Sequence, residues 1–161
     1  MSRRLLMFLP AAVFAVSCGE DATGPVGSLC ATQHGLEVCV DRPEYEPRES
    51  ITVTTRNVSG ARIFKDSCGT KPVGVTNLEV EFEAFYNPTL HCGRGATRAD
   101  IVERMVELGP GDSTRETVTL PFFSFQGWYR VNVWLLDAEG NLAVDTPATS
   151  GIFQVFPSVG E

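Results

Sequence analysis

The sequence predicts an all-β chain folded as an antiparallel sandwich or barrel of about seven short strands. Two observations carry this. Apolar residues recur with period two along most of the chain, which is the signature of half-buried strands. Clusters of Gly, Pro, Asn and Asp separate the alternating runs, and these are residues whose backbone chemistry favours turns.

The elements follow in order. Leu36, Val38 and Val40 alternate with Glu37, Cys39 and Asp41. Arg42-Pro43-Glu44-Tyr45-Glu46-Pro47 separates that run from Ile51, Val53 and Thr55. Asn57-Val58-Ser59-Gly60 reads as a turn, with Gly60 able to take positive φ, and a short segment at 61–66 follows. Leu78, Val80, Phe82 and Ala84 alternate with Glu79, Glu81, Glu83 and Phe85, predicting one strand with a carboxylate ladder on one face. Residues 97–107 read as a short helical turn leading into a strand. Thr97 and Asp100 have the spacing of a capping box, and Ile101, Val102, Met105 and Val106 share a helical face. Gly109-Pro110-Gly111-Asp112 is a turn before the strand that ends in Val118 and Leu120. Tyr129, Val131, Val133 and Leu135 mark a long central strand, with Trp134 in the opposite phase, and residues 152–156 close the sandwich.

The first seventeen residues belong to a different kind of segment. Arg3 and Arg4 precede an apolar stretch from Leu5 through Phe14, and small residues end in Ala15-Val16-Ser17-Cys18. This three-part pattern is that of an export signal. The stretch is too short to cross a bilayer, which takes about twenty apolar residues. Ala15-Val16-Ser17-Cys18 resembles the lipobox of bacterial lipoproteins. The resemblance implies cleavage before Cys18, diacylglycerol on its sulfur, and further acylation of the palmitate type. It also implies a membrane-anchored protein of the cell envelope. Gly19, where Asp would favour inner-membrane retention, implies the outer membrane if the cell has one. Stable anchoring requires more than one acyl chain. Gly19-Glu20-Asp21-Ala22-Thr23-Gly24-Pro25 opens a polar, flexible tether. The expected organisation is a signal peptide at 1–17, the lipidated cysteine and tether at 18–35, the sandwich at 36–157 and a tail at 158–161.

The cysteine count agrees with export. Five cysteines are present, Cys18, Cys30, Cys39, Cys68 and Cys92, and an odd number in an exported chain calls for an explanation. Assigning Cys18 to lipid leaves four, which allow three disulfide pairings in an oxidising compartment. Cys30–Cys39 and Cys68–Cys92 are preferred because both close short loops, each stabilising by roughly 2.5–3.5 kcal/mol in the chain-entropy account. A zinc site on the same four would want a C-x2-C pair, which the chain lacks.

Charge narrows the partners. The chain holds 13 Lys+Arg and 20 Asp+Glu; without Arg3 and Arg4 the mature part has 11 basic residues and a formal charge of −9. Nucleic-acid binding needs a basic footprint, so no nucleic acid is expected. The remaining partners are the membrane, through the lipid on Cys18, and a protein or glycan. No cofactor or metal is expected either. There is no G-x-S-x-G elbow, HExxH or P-loop, and the only histidines are His34 and His91. No catalytic residue is assigned and the chain is not expected to be an enzyme. Glu79, Glu81 and Glu83 would suit a cation, but a solvated edge protected by repelling charge explains them as well. The most apolar loop is Pro121-Phe122-Phe123-Ser124-Phe125-Gln126-Gly127-Trp128. Phe122, Phe123, Phe125 and Trp128 are therefore candidate contacts for a partner, with plugging of the sandwich end as the alternative.

Several features together resemble the bacterial Ig-like domains of envelope lipoproteins. They are Tyr45 and Pro47 before Ser50-Ile51-Thr52-Val53, Asn57 at the strand end, Leu108-Gly109-Pro110-Gly111-Asp112-Ser113, Gly127-Trp128-Tyr129-Arg130-Val131, and Phe153 with Val155. The resemblance implies an immunoglobulin-like sandwich and no particular activity. It places Tyr129 like a tyrosine corner, whose phenol bonds back to nearby backbone. The widely spaced cysteine pair of antibody domains is missing. A weaker similarity, through Asn57, the Pro-Gly turn and Gly127-x-Tyr129, is to the Ig-like intracellular proteinase inhibitors, whose setting matches neither export nor disulfides. The expected function is a lipid-anchored envelope module with a non-catalytic binding or structural role; the alternative is an Ig-like proteinase inhibitor.

Overall fold

The computed structural model describes residues 28–67, 74–80, 97–120 and 126–156, and the backbone of 82–85. Among them are thirteen strands in three sheets and one helix. The chain is mostly β, but its strands are shorter and more numerous than the seven expected, because several runs break where the backbone changes sheet.

The first sheet has the order β1 (Cys30–Gln33), β2 (Leu36–Val40), β4 (Ser50–Asn57) and β9 (Ser113–Thr119). β1 lies within the stretch expected to be tether. A two-residue turn creates it: His34 and Gly35 both have positive φ, 53° and 77°, which matches the twist of a tight hairpin. Val40 N–H donates to Leu29 O, so the next facing pair, Cys30 and Cys39, sits at a non-hydrogen-bonded position where strands approach most closely. Those two cysteines are disulfide-bonded, with Cα atoms 4.0 Å apart. Cys68 and Cys92 lie outside the described residues.

The second sheet runs β3 (Glu44–Tyr45), β13 (Phe153–Val155), β10 (Gly127–Val133), β6 (Gly74–Asn77) and β7 (Phe82–Phe85), with β12 (Ala148–Thr149) also beside β10. Leu36, Val38, Ile51, Val53 and Val118 from the first sheet join Val75, Tyr129, Val131, Phe153 and Val155 from the second in one buried cluster. Each such side chain contributes about 1.5–3 kcal/mol on burial. The strand expected from Leu78 is not continuous. Residues 78–80 form a turn, because the Asn77 side-chain oxygen accepts from the N–H groups of Glu79 (2.8 Å) and Val80 (3.3 Å). Glu79 is therefore in the turn and Glu83 in β7, while Glu81 lies outside the described residues, so the expected ladder does not start on one strand.

Between Val40 and Glu44 the chain leaves the first sheet, and β3 pairs in parallel with β13, Tyr45 opposite Val155. The crossing is tied by side chains. Tyr45 OH donates to Asp41 Oδ1 (2.7 Å) and accepts from Arg42 N–H (3.0 Å). Asp41 Oδ1 also accepts from Thr52 N–H (2.8 Å). The Arg42 guanidinium lies 4.7 Å from the Tyr45 ring centroid and 2.6 Å from Glu49 Oε1. The buried Tyr45 ring meets Phe153 edge-on at 5.2 Å, and Phe153 stacks on Tyr129 at 5.9 Å. The Tyr45 phenol thus bonds back to nearby backbone, which the sequence reading did not anticipate.

The third sheet is β11 (Leu135–Leu136), β5 (Ile63–Lys65) and β8 (Val106–Leu108). Before β8 comes α1 (Arg98–Arg104), with the expected capping box: Asp100 N–H donates to Thr97 Oγ1 and Thr97 N–H to Asp100 Oδ2. Met105 ends the helix with extended backbone. Two polar side chains lock this sheet to the first. Asn57, fully buried, donates from Nδ2 to Ala61 O (2.7 Å) and Leu108 O (2.8 Å). The Asn57 side chain, with Ser59 hydrogen-bonded to its Oδ1, shapes the 57–60 turn; Gly60 does not take positive φ. Lys65 is buried on β5 and its Nζ bonds Glu116 on β9.

Two predictions follow from these ties. Burial works against the Asp41 charge, but hydrogen bonds from the Tyr45 hydroxyl and Thr52 N–H outweigh it and hold the carboxyl below its ordinary 3.8. The unfolded chain then binds the proton first on acidification, so the stability from Asp41 is present above 3.8 and lost as pH falls through the lower native value. Tyr45→Phe should cost about 1–2 kcal/mol at neutral pH and flatten that acid loss, read from urea unfolding at several pH values. On the alkaline side, burial pushes the Lys65 ammonium down to about 8 from 10.5, against the pull of the Asp66 carboxylate. Between those two values the unfolded chain binds more protons, so stability should rise with pH. In Lys65→Met the rise should vanish from melts recorded across that range.

Candidate functional site

β10 presents two faces because alternate side chains point to opposite sides of a strand. Tyr129, Val131 and Val133 enter the core. Trp128, Arg130 and Asn132, with Trp134 just beyond, take the other phase. Pairing sets their neighbours: Thr76 of β6 lies opposite Arg130, Gly74 opposite Asn132, Thr149 of β12 across from Asn132, and Gln154 of β13 opposite Trp128. Gly74 has no side chain to fill the space beside Asn132. Asn132 Nδ2 donates to Thr76 Oγ1 at 2.5 Å. Trp134 is buried, and its carbonyl accepts from Asp66 N–H.

The walls come from distant parts of the chain. Segment 146–149 borders the face, and the β1–β2 hairpin reaches it from the other sheet. Gln33 Oε1 accepts from Thr149 N–H at 3.2 Å. His34 Nε2 lies 3.2 Å from Thr146 Oγ1. Two open cavities result, of about 490 and 330 Å³, and they meet at Arg130 and Pro147. The larger is bordered by Gln33, His34, Thr146 and Thr149. The smaller is bordered by Thr76, Asn77, Leu78, Asn132 and Trp134. Both fall in the size range of small-molecule sites.

The electrostatics of this groove differ from those of the chain. Among the described residues that line it none is a carboxylate, although the chain as a whole is acidic. Arg130 is the permanently charged group, and its Nε is buried with no hydrogen-bond partner. A buried donor left in that state costs about 1–3 kcal/mol. Among the described residues no group of three His, Cys, Asp or Glu side chains could hold a metal ion, and no helix is long and apolar enough to cross a membrane.

Of the residues singled out from sequence, Cys18, Cys68, Cys92, His91, Phe122, Phe123 and Phe125 lie outside the described residues. Trp128 is half-buried on the Arg130 face, and His34 stands at the groove wall. Sequence reasoning missed Arg130 as a site residue, having read it only as part of a strand opening. A signal was present: the outer phase of β10 carries Trp128, Arg130 and Asn132, with Trp134 just beyond, more than a solvated face needs. Comparison with protein-family models gives no match, and no curated protein is significantly similar to the chain.

The hairpin wall is held by the Gln33–Thr149 hydrogen bond. Gln33→Ala should speed amide hydrogen exchange at Thr149 about fivefold, the equivalent of about 1 kcal/mol, while the exchange of Val131 and Val133 in the core stays unchanged.

Proposed function

We propose that the chain is a bacterial lipoprotein, exported and anchored to the cell envelope through lipid on Cys18, and that its immunoglobulin-like sandwich is a non-catalytic binding module. The observation that carries the binding role is the groove at Arg130, a cavity pair whose described lining holds one guanidinium and no carboxylate. Export and anchoring are supported by the segment at 1–18, and the Cys30–Cys39 disulfide fits an oxidising compartment. The Ig-like reading is supported by the division of strands. β2, β4 and β9 lie in one sheet and β6, β10 and β13 in the other, the ABE-against-CFG partition of such sandwiches. The crossing of β3 to pair with β13 gives further support. The protein faces the periplasm or the cell surface from its tether, in the outer membrane where there is one.

The test is made on the full chain in a bacterial host. Labelled palmitate should enter the wild type, which should fractionate with membranes, whereas Cys18→Ala should take up no label and leave the membrane fraction. A photo-crosslinking amino acid at position 146 should capture an envelope component, and one at position 113 on the first sheet should not. Unchanged fractionation of Cys18→Ala would remove the anchor. Equal capture from both positions, or none from 146, would remove the groove.

A further inference from the structure

We infer that the Arg130 groove takes a carboxylate-bearing saccharide, a ligand class that rests on the binding role proposed above. Three features of the groove select it. The first is the guanidinium. Among the described residues no ion pair engages Arg130. Its planar fork matches one carboxylate through paired N–H···O bonds. A phosphate ligand would call for more cations or a run of unpaired backbone N–H groups; β10 spends its backbone on pairing with strands on both sides.

The second is the rim. Thr76, Thr146 and Thr149 bring hydroxyls, and Gln33 and Asn77 bring amides. Such groups both donate and accept, which suits the many hydroxyls of a sugar. The third is the apolar wall, Trp134 and Pro147, against which the C–H face of a pyranose ring can rest. A peptide is less well served. Extended peptides gain affinity by pairing with an open strand edge, and β10 is an inner strand with no open edge. The net negative charge of the chain does not forbid an acidic ligand, since repulsion from exposed charges is screened beyond about 8–10 Å at physiological salt.

The chain's two tryptophans, Trp128 and Trp134, are both in the Arg130 phase of the strand, so intrinsic fluorescence reports on this groove directly. The experiment titrates the full-length lipidated protein, in detergent, with a glucuronic-acid-containing disaccharide and with its carboxyl-reduced counterpart. The uronide should give a saturable fluorescence change with a dissociation constant on the order of a millimolar, and the reduced sugar none. Arg130→Gln should weaken uronide binding roughly tenfold or more. Arg130→Lys, which keeps the charge and loses the fork, should fall between and keeps the test valid if the glutamine variant does not fold. Equal binding of the reduced sugar would overturn the carboxylate assignment while leaving the groove a binding site. A response to a short peptide with a free C-terminal carboxylate, and not to the uronide, would overturn the saccharide. No response to any probe, with crosslinking from position 146 intact, would overturn this inference alone; loss of both would take the binding role with it.

Discussion

The inner position of β10 is the constraint on which the rest depends. A strand with neighbours on both edges has its backbone satisfied, so what remains to be settled is the fate of its two faces. One face is apolar and is buried against the first sheet. The other carries Trp128, Arg130 and Asn132; it is flanked by β6 and bordered by segment 146–149. Covering a polar row incompletely is what makes a groove.

The lateral position of β10 is secured at a distance. β13 lies beside it, and β13 is held in turn by β3, which reaches the second sheet through the Asp41–Arg42–Tyr45 tie. The phenol is raised above its ordinary pKa by burial, and next by its bond to Asp41, so it stays a donor across the physiological range. Tyr45, Phe153 and Tyr129 then form a run of aromatic contacts that links the crossing to the core side of β10. On the other flank, Asn57 and Lys65 bind the third sheet to the first, and the backbone of Asp66 joins that sheet to Trp134. Polar groups with defined partners thus set positions within an otherwise non-directional apolar core, where each unmade bond would be expensive.

Much of this organisation was legible in the chain itself. Period-two alternation placed β2, β4, β9, β10 and β13, because the inner phase of each faces one core. The Thr97–Asp100 spacing announced the start of α1, since capping is decided within four residues. The short Cys30–Cys39 separation suited the hairpin disulfide. The same local rules failed at Leu78, where alternation continued through a turn: the Asn77 side chain captured two backbone N–H groups, and that competition leaves no trace in hydrophobic periodicity. They also left Cys30–Gln33 in the tether, because a strand of mixed polarity at a sheet edge has little pattern to read.

By itself, then, the sequence determined the mostly β character, the strands with a buried phase, the helix cap and the acidic balance, all of which follow from neighbours within a few residues. Tertiary structure alone decided that the Tyr45 phenol bonds to the Arg42 backbone, that the first and third sheets are joined through Asn57 and Lys65, and that a groove exists. Gln33 and Thr149 are 116 residues apart, and Thr76 and Asn132 are 56 apart. Their meeting depends on how two sheets pack and which segment crosses an outer face. No periodicity within one strand encodes that, since it arises only when separate strands bring their side chains to the same place.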